Sequence, residues 1–180
     1  MKTYVAFLRG INVSGQKKIK MADLRASLQG RGLENVRTYI QSGNIILEAS
    51  GNQVKELEAT IEKAIQVDFG FEVPVLIKTP REIQDVLDNN PFSGEPDRKG
   101  LYFALLHTTP SQELISFFKG LKFDNEDFHY SEGCVYLNCK LGAGKAKLSN
   151  NLIENKLKVI ATTRNLNTMK KMIELAQGQG

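Results

Sequence analysis

The sequence predicts an α+β protein in which the element order βαββαβ occurs twice and is followed by a C-terminal helix. Apolar residues alternate in some short segments, as in strands, and recur every three or four positions in others, as in helices. The hairpins of the two halves also align at an offset of 90 residues, matching Gly43 with Gly133, Ile45 with Val135 and Leu47 with Leu137. This pattern is typical of a tandem duplication of two ferredoxin-like subdomains.

Apolar spacing and turn residues divide the first half into six elements. These are a strand over 3–9, a helix from 21 that ends at Gly30 or Gly32, strands over 36–41 and 44–48 around a Ser42-Gly43 turn, a helix over 54–65 and a strand over 73–77. Because proline cannot donate a ladder hydrogen bond, Pro74 places the last strand at an edge of the sheet.

The second half repeats these elements in the same order and adds a helix over 166–177 with one apolar face. The repeated elements are a strand over 101–107, a helix over 110–119, strands over 128–130 and 134–138, a helix over 148–157 and a strand over 159–161. We therefore predict an N-terminal subdomain over 1–79, a helical linker over 80–99 and a C-terminal subdomain with the terminal helix over 100–180.

The first hairpin predicts a polar sheet face opposite the helices. If Val36, Thr38 and Ile40 point inward, the other face presents polar and aromatic side chains on which a ligand or bases can bind. Those candidate ligand-binding residues are Arg37, Tyr39, Gln41 and Asn44. The alternatives are a solvated face, one covered by the second repeat, or an Asn44 that only closes its turn.

Charge is distributed unevenly around a net charge of +4. Residues 9–37 carry seven Lys/Arg against two acids, and residues 140–171 carry eight against one, so two basic segments flank an acidic middle. Basic surfaces attract phosphates, although a solvated surface gives the same pattern. No run suits a membrane span or a secretion signal, and Cys134 and Cys139 are expected to be reduced and packed, so we predict a cytoplasmic protein, a monomer or weak dimer.

The first candidate motif is the glycine-containing loop over residues 9–15, which follows the first strand. A rigid strand that ends in a polar loop is a common place for a site, and Arg9 and Asn12 suit a bound anion or a nucleotide edge. A second motif near the end offers Arg164, Asn165 and Thr168 at the start of the last helix, where Thr162 or Thr163 could be the cap. The alternative for both motifs is a structural role that holds the halves together.

Other motifs predict less chemistry. The loop over residues 142–147 lacks the spacing of a phosphate-binding loop, so Lys147 is predicted only as a basic contact to phosphate before a helix. No catalytic set is identified, and neither His107 nor His129 lies in a metal-binding pattern, so we predict no metal ion and no cofactor.

Four motifs resemble a bacterial family known only as Domain of Unknown Function 1697. They lie in residues 7–13, 21–25, 38–44 and 161–168, and the resemblance extends over essentially the whole chain. Leu166 departs from the tryptophan expected after the Arg-Asn pair. The resemblance implies an α+β fold and carries no established activity.

The leading functional prediction is a module that binds a phosphate-bearing ligand, such as a nucleotide or nucleic acid, in the cleft between the repeats. The prediction depends on the two basic segments and on Arg9 and Arg164 facing that cleft. One alternative is a small enzyme for an anionic metabolite, with Tyr39 or His129 moving a proton. The other is a purely structural or interaction protein.

Overall fold

The computed structural model describes residues 1–51, 53–95 and 98–178, in which it contains eight strands and six α-helices. Parts of the predicted linker, including Pro96, and the last two residues of the predicted C-terminal subdomain lie outside the described residues. Among the described helices, none has the length and apolar character that a membrane crossing requires.

The first half forms a four-stranded antiparallel sheet with strand order β2-β3-β1-β4. Its elements are β1 (Lys2–Leu8), α1 (Met21–Gln29), β2 (Glu34–Tyr39), β3 (Asn44–Ala49), α2 (Val54–Phe69) and β4 (Val75–Lys78), with α3 (Pro80–Asp88) following. The central strand β1 is antiparallel to β3 and to β4. The predicted pairing of the third strand with the first is confirmed.

The second half repeats this arrangement in a sheet of order β6-β7-β5-β8. Its elements are β5 (Leu101–Leu106), α4 (Gln112–Lys119), β6 (Glu126–Ser131), β7 (Cys134–Cys139), α5 (Asn150–Leu157), β8 (Ala161–Asn165) and α6 (Leu166–Ala176). The strand predicted over 159–161 lies instead at Ala161–Asn165. The prediction followed the apolar run over residues 159–161. The strand that forms is an edge strand made mostly of polar residues, which pair with β5.

The described chain divides into two compact units. Unit 1 comprises residues 1–84 together with residues from 171 onward, and unit 2 comprises residues 85–170. Helix α3 therefore begins in unit 1 and ends in unit 2, whereas α6 begins in unit 2 and ends in unit 1.

Each unit has its own apolar core between its helices and one face of its sheet. In unit 1 the core includes Leu8, Leu24 and Ile61, which are completely buried. In unit 2 it includes Phe118 and Cys139. Burial, and then the charge of Glu126, raise the pKa of the Cys139 thiol to about 11, so this free thiol is protonated and packs as a small apolar group.

Backbone hydrogen bonds at the end of the central strand are repeated in the two halves. The Leu8 N–H donates to Gly43 O at 2.8 Å, and the Leu106 N–H donates to Gly133 O at 2.9 Å. The next residue then bonds to the loop before the edge strand, from Arg9 N–H to Pro74 O at 3.0 Å and from His107 N–H to Ile160 O at 2.9 Å. This agreement fits a duplication.

Helix carboxylates protect one edge strand in each half. Glu58 and Glu62 on α2 accept hydrogen bonds from the backbone N–H groups of Ile77 and Val75 in β4. On α5, Glu154 accepts from the Ala161 N–H at the start of β8. Because an unpaired edge invites pairing with another chain, these contacts protect part of one edge of each sheet.

Glycine is required where the first hairpin contacts β1. A Cβ added to Gly43 would lie 2.6 Å from Leu8 Cβ, and the φ of Gly43 is +80°. The equivalent Gly133 has a φ of +77°, but a Cβ there would meet nothing within 4 Å. The two glycines therefore share a backbone conformation and differ in the space around them.

We predict that Gly43→Ala destabilises the protein more than its matched control, Gly133→Ala. Each alanine is strained by about 1–2 kcal/mol in the left-handed region, and at Gly43 the overlap with Leu8 adds about 1–3 kcal/mol. Urea unfolding followed by circular dichroism measures the difference. Equal unfolding midpoints for the two variants would contradict this packing.

Candidate functional site

The loop over residues 9–20 connects β1 to α1 and is closed by two buried side chains. Ile11 and Ile19 are 1% and 3% exposed and belong to the core of unit 1. Between them the chain turns back, with a bridge between Val13 and Gln16. These anchors make the loop a fixed part of unit 1.

A tight turn lies at the tip of this loop. Ser14 and Gly15 have φ values of 49° and 75°, and the Gln16 N–H donates to Val13 O at 2.9 Å. Positive φ at both central residues is typical of a type I′ turn. The turn leaves Val13 57% exposed.

Asn12 clamps the loop to the first hairpin. Its Nδ2 donates to Ile19 O at 3.0 Å and to Gln41 O at 2.8 Å, while its Oδ1 accepts from the Ile19 N–H at 2.9 Å. Its φ of 54° is a conformation that asparagine tolerates better than most residues. The side chain predicted to bind a ligand is therefore occupied by protein backbone.

A third segment is tied to the same loop. The Lys17 Nζ donates to Glu72 O, in the connection between α2 and β4. With the Arg9 N–H bonded to Pro74 O, this connection is held at both ends of the loop. Three separate segments of unit 1 thus meet around the end of β1.

A pocket of about 600 Å³ lies among these segments. Its lining includes Asn12, Lys18, Lys20, Asp23, Gln41 and Phe69. In the part of the chain that the structure describes, no hydrogen bond or ion pair involves the side chains of Lys18, Lys20, Asp23 or Gln41. Two cations, one carboxylate and one amide are therefore available to a ligand.

The pocket contains two of the predicted site residues and several that the predictions missed. Asn12 and Gln41 line it, whereas Lys18, Lys20 and Asp23 were not among the predicted residues. The sequence does indicate the two lysines, because they flank the single apolar residue Ile19 in a polar loop. A buried Ile19 holds both lysines close to the protein surface. Phe69 carried no comparable signal, since it belongs to a helix far along the chain.

The polar face predicted for the first hairpin is partly occupied. Arg37 Nη2 donates to Leu175 O at 2.7 Å, in the last turn of α6 within unit 1, where a cation also suits the helix dipole. Tyr39 is half-buried, and its carbonyl accepts from the Asn44 Nδ2. Glu48 accepts a hydrogen bond from Asn35.

The expectation that Asn44 lies on an open face is wrong. Asn44 is completely buried, and its Nδ2 donates to Tyr39 O at 3.0 Å and to Ser42 Oγ at 2.9 Å. Its neighbours on the same face of the sheet, Phe7 and Ile46, are buried as well. The alternative in which Asn44 closes its turn therefore agrees with these contacts.

The second motif lies in β8 and makes several internal hydrogen bonds. Thr162 Oγ1 lies 2.8 Å from His107 Nε2, and Thr163 Oγ1 donates to Asn150 Oδ1 at 2.7 Å. Arg164 is half-buried, and its Nη1 donates to Thr163 O at 3.0 Å. Burial lowers the pKa of the Arg164 guanidinium to about 10, so it stays protonated at neutral pH.

Asn165, rather than Thr162 or Thr163, caps α6. Its Oδ1 accepts from the Thr168 N–H at 2.8 Å, and Thr168 is 4% exposed. The expected threonine cap is wrong because β8 continues through both threonines, so the helix starts later. Two of the predicted ligand residues, Asn165 and Thr168, are therefore partners in one cap.

Lys147 is exposed, and a buried carboxylate holds its backbone. The Lys147 and Leu148 N–H groups both donate to Glu126 at 2.7 Å, and Glu126 is 7% exposed. Lys147 thus belongs to a basic loop whose C-terminal end is held by Glu126. Within residues 1–51, 53–95 and 98–178, no group of three or more metal-ligating side chains could hold a metal ion.

Comparisons with known proteins give a family and a fold. The sequence model of a family described as "Protein of unknown function (DUF1697)" matches residues 1–136, which include the loop over residues 9–20. A similar solved structure is that of conserved bacterial protein SP0830 from Streptococcus pneumoniae, with 23% identity and a TM-score of 0.77 over 97% of this chain and 98% of that chain. At this identity the likeness shows the fold alone. No curated protein matches.

Removing the Asn12 clamp is expected to destabilise unit 1. Asn12→Ala deletes three hydrogen bonds, each worth about 0.5–1.5 kcal/mol, so we expect a loss of about 3 kcal/mol and faster exchange of the Ile19 amide hydrogen. Gln41→Ala is the matched control, because only the backbone carbonyl of Gln41 takes part. Unchanged exchange at Ile19 in Asn12→Ala would show that the clamp does not hold the loop.

Proposed function

The chain belongs to the DUF1697 family of proteins of unknown function, and from that premise we propose that it binds a phosphate-bearing anion in the pocket of unit 1. The observation that carries the proposal is the presence of Lys18 and Lys20 in one concave pocket without any partner among the described residues. Two lysines against one carboxylate give this concave surface a net positive charge, which attracts an anion.

The second half of the chain supports this location. The connection between β5 and α4 covers only residues 107–111, whereas the equivalent connection in the first half covers residues 9–20. A duplicated scaffold needs only the short connection. The longer loop, with its buried anchors and its clamp, is therefore additional structure, and loops on a rigid scaffold commonly carry function.

The predicted cleft between the repeats, with Arg9 and Arg164 facing it, stays a prediction, as does the contact of Lys147 to phosphate. For the second motif, the hydrogen bonds of Asn165 and Thr168 favour a structural role in capping α6. The enzyme alternative has no supporting observation in the pocket, because Tyr39 and His129 are not among its lining residues.

We also propose that each half is a ferredoxin-like subdomain of a cytoplasmic protein. The element order and the strand orders β2-β3-β1-β4 and β6-β7-β5-β8 support this classification. Cys134 and Cys139 are buried and form no disulfide within the described residues, which is consistent with a reducing compartment. The subdomain limits of 1–79 and 100–180 and the monomer or weak dimer state stay predictions.

Inorganic pyrophosphate tests the anion site. At ten times its dissociation constant, a ligand that binds only the folded state stabilises it by about 1.4 kcal/mol, which raises the melting temperature relative to sodium chloride at equal ionic strength. We expect Lys20→Ala to weaken binding at least tenfold, because a hydrogen bond to a charged group is worth about 1.5–3 kcal/mol.

The matched control is Lys63→Ala, which removes an exposed lysine of α2 outside the pocket. It should keep the full shift in melting temperature. An equal loss in both variants would indicate general charge attraction, and no shift in the parent protein would refute the anion site.

A further inference from the structure

We propose that the anion is a nucleoside monophosphate, an inference that rests on the proposed function of the same pocket. The lining combines three kinds of recognition that one such ligand uses together. Lys18 and Lys20 suit a phosphate, Asp23 suits sugar hydroxyls, and Phe69 with Gln41 suits a base. The pocket volume of about 600 Å³ lies in the usual range for small-molecule sites.

Asp23 distinguishes this ligand from a bare phosphate. A carboxylate in a pocket with two lysines repels an inorganic anion and has no ion-pair partner among the described residues. A ribose supplies hydroxyl donors that a carboxylate accepts, so a ligand with both groups offsets a repulsion that weakens the binding of a bare phosphate. Asp23 also suits the first turn of α1, where an acid interacts favourably with the helix dipole.

Phe69 provides the apolar wall that a base requires. It is the last residue of α2, is half-buried and packs against the core of unit 1. Gly70 follows it with a φ of +81°, so the chain turns away at this point. A ring supported by the core is a suitable surface for stacking a planar base.

Gln41 adds a polar side chain on a backbone that the protein holds in place. Its backbone carbonyl is bonded to the Asn12 Nδ2, so the Asn12 clamp also positions this residue. Its side-chain amide has no partner in the described chain and offers both a donor and an acceptor. Such an amide can pair with the adjacent donor and acceptor on an adenine edge.

The test is a separate titration of the full chain with inorganic phosphate, with ribose 5-phosphate and with adenosine 5′-monophosphate. Binding is monitored by amide chemical shifts. We expect each probe to bind at least fivefold more tightly than the one before it. Asp23→Asn should weaken the binding of ribose 5-phosphate and of adenosine 5′-monophosphate at least fivefold, without weakening the binding of inorganic phosphate. Because Asp23 is exposed, this variant is expected to fold.

A second variant tests the base contact separately. Phe69→Leu should reduce the affinity for adenosine 5′-monophosphate to that for ribose 5-phosphate and leave inorganic phosphate unaffected. Unchanged binding of inorganic phosphate shows that the pocket of this variant is still folded. Lys63→Ala should bind all three probes as the parent protein does.

The outcomes separate the two proposals. Equal dissociation constants for the three probes would overturn the nucleotide inference and leave the anion site standing. No binding of any probe, or binding unaffected by Lys20→Ala, would overturn the anion site itself. If a 5′-phosphorylated dinucleotide binds at least tenfold more tightly than the mononucleotide, the ligand is the 5′ end of a nucleic-acid strand. That result would overturn the inference of a free nucleotide.

Discussion

The position of the candidate site depends on how β1 ends. As the central strand of its sheet, β1 has neighbours on both sides, and its last hydrogen bonds join Leu8 N–H to Gly43 O and Arg9 N–H to Pro74 O. The hairpin approaches so closely that only glycine fits at position 43. The loop that follows therefore starts from a fixed point between two other segments, which is the condition for a preformed pocket.

Comparison of the two similar halves shows that the loop after β1 is what distinguishes the first half. Both central strands end with the same pair of hydrogen bonds, and helix carboxylates accept backbone hydrogen bonds from one edge strand in each half. Only after β1 does the chain insert a long loop that brings its own buried side chains, Ile11 and Ile19, and its own clamp, Asn12. Both halves have the same rigid sheet. The pocket occurs in unit 1, where it is formed by loop residues that the second half lacks.

Much of the fold could be predicted from the sequence, because apolar periodicity and turn residues are local signals. The hairpin turn at Gly43 and the amphipathic helix that contains Leu24 are examples. The roles of polar side chains depend on distant partners and could not be predicted in this way. Asn12 suited a ligand by its chemistry, but it binds the carbonyl of Gln41, and Arg37 binds a carbonyl at the end of α6. The polar strand β8 was misplaced for the same reason, since its pairing with β5 leaves no apolar pattern.

The most direct measurement is the amide spectrum of the isotopically labelled protein during titration with inorganic pyrophosphate. We expect progressive shifts in residues 12–23 and at Gln41, and no shifts in the equivalent connection over residues 107–111. The second half thus acts as an internal control with the same scaffold and without the long loop. Shifts confined to Lys147 and Arg164, or equal shifts in both connections, would contradict the assignment of the site to the pocket of unit 1.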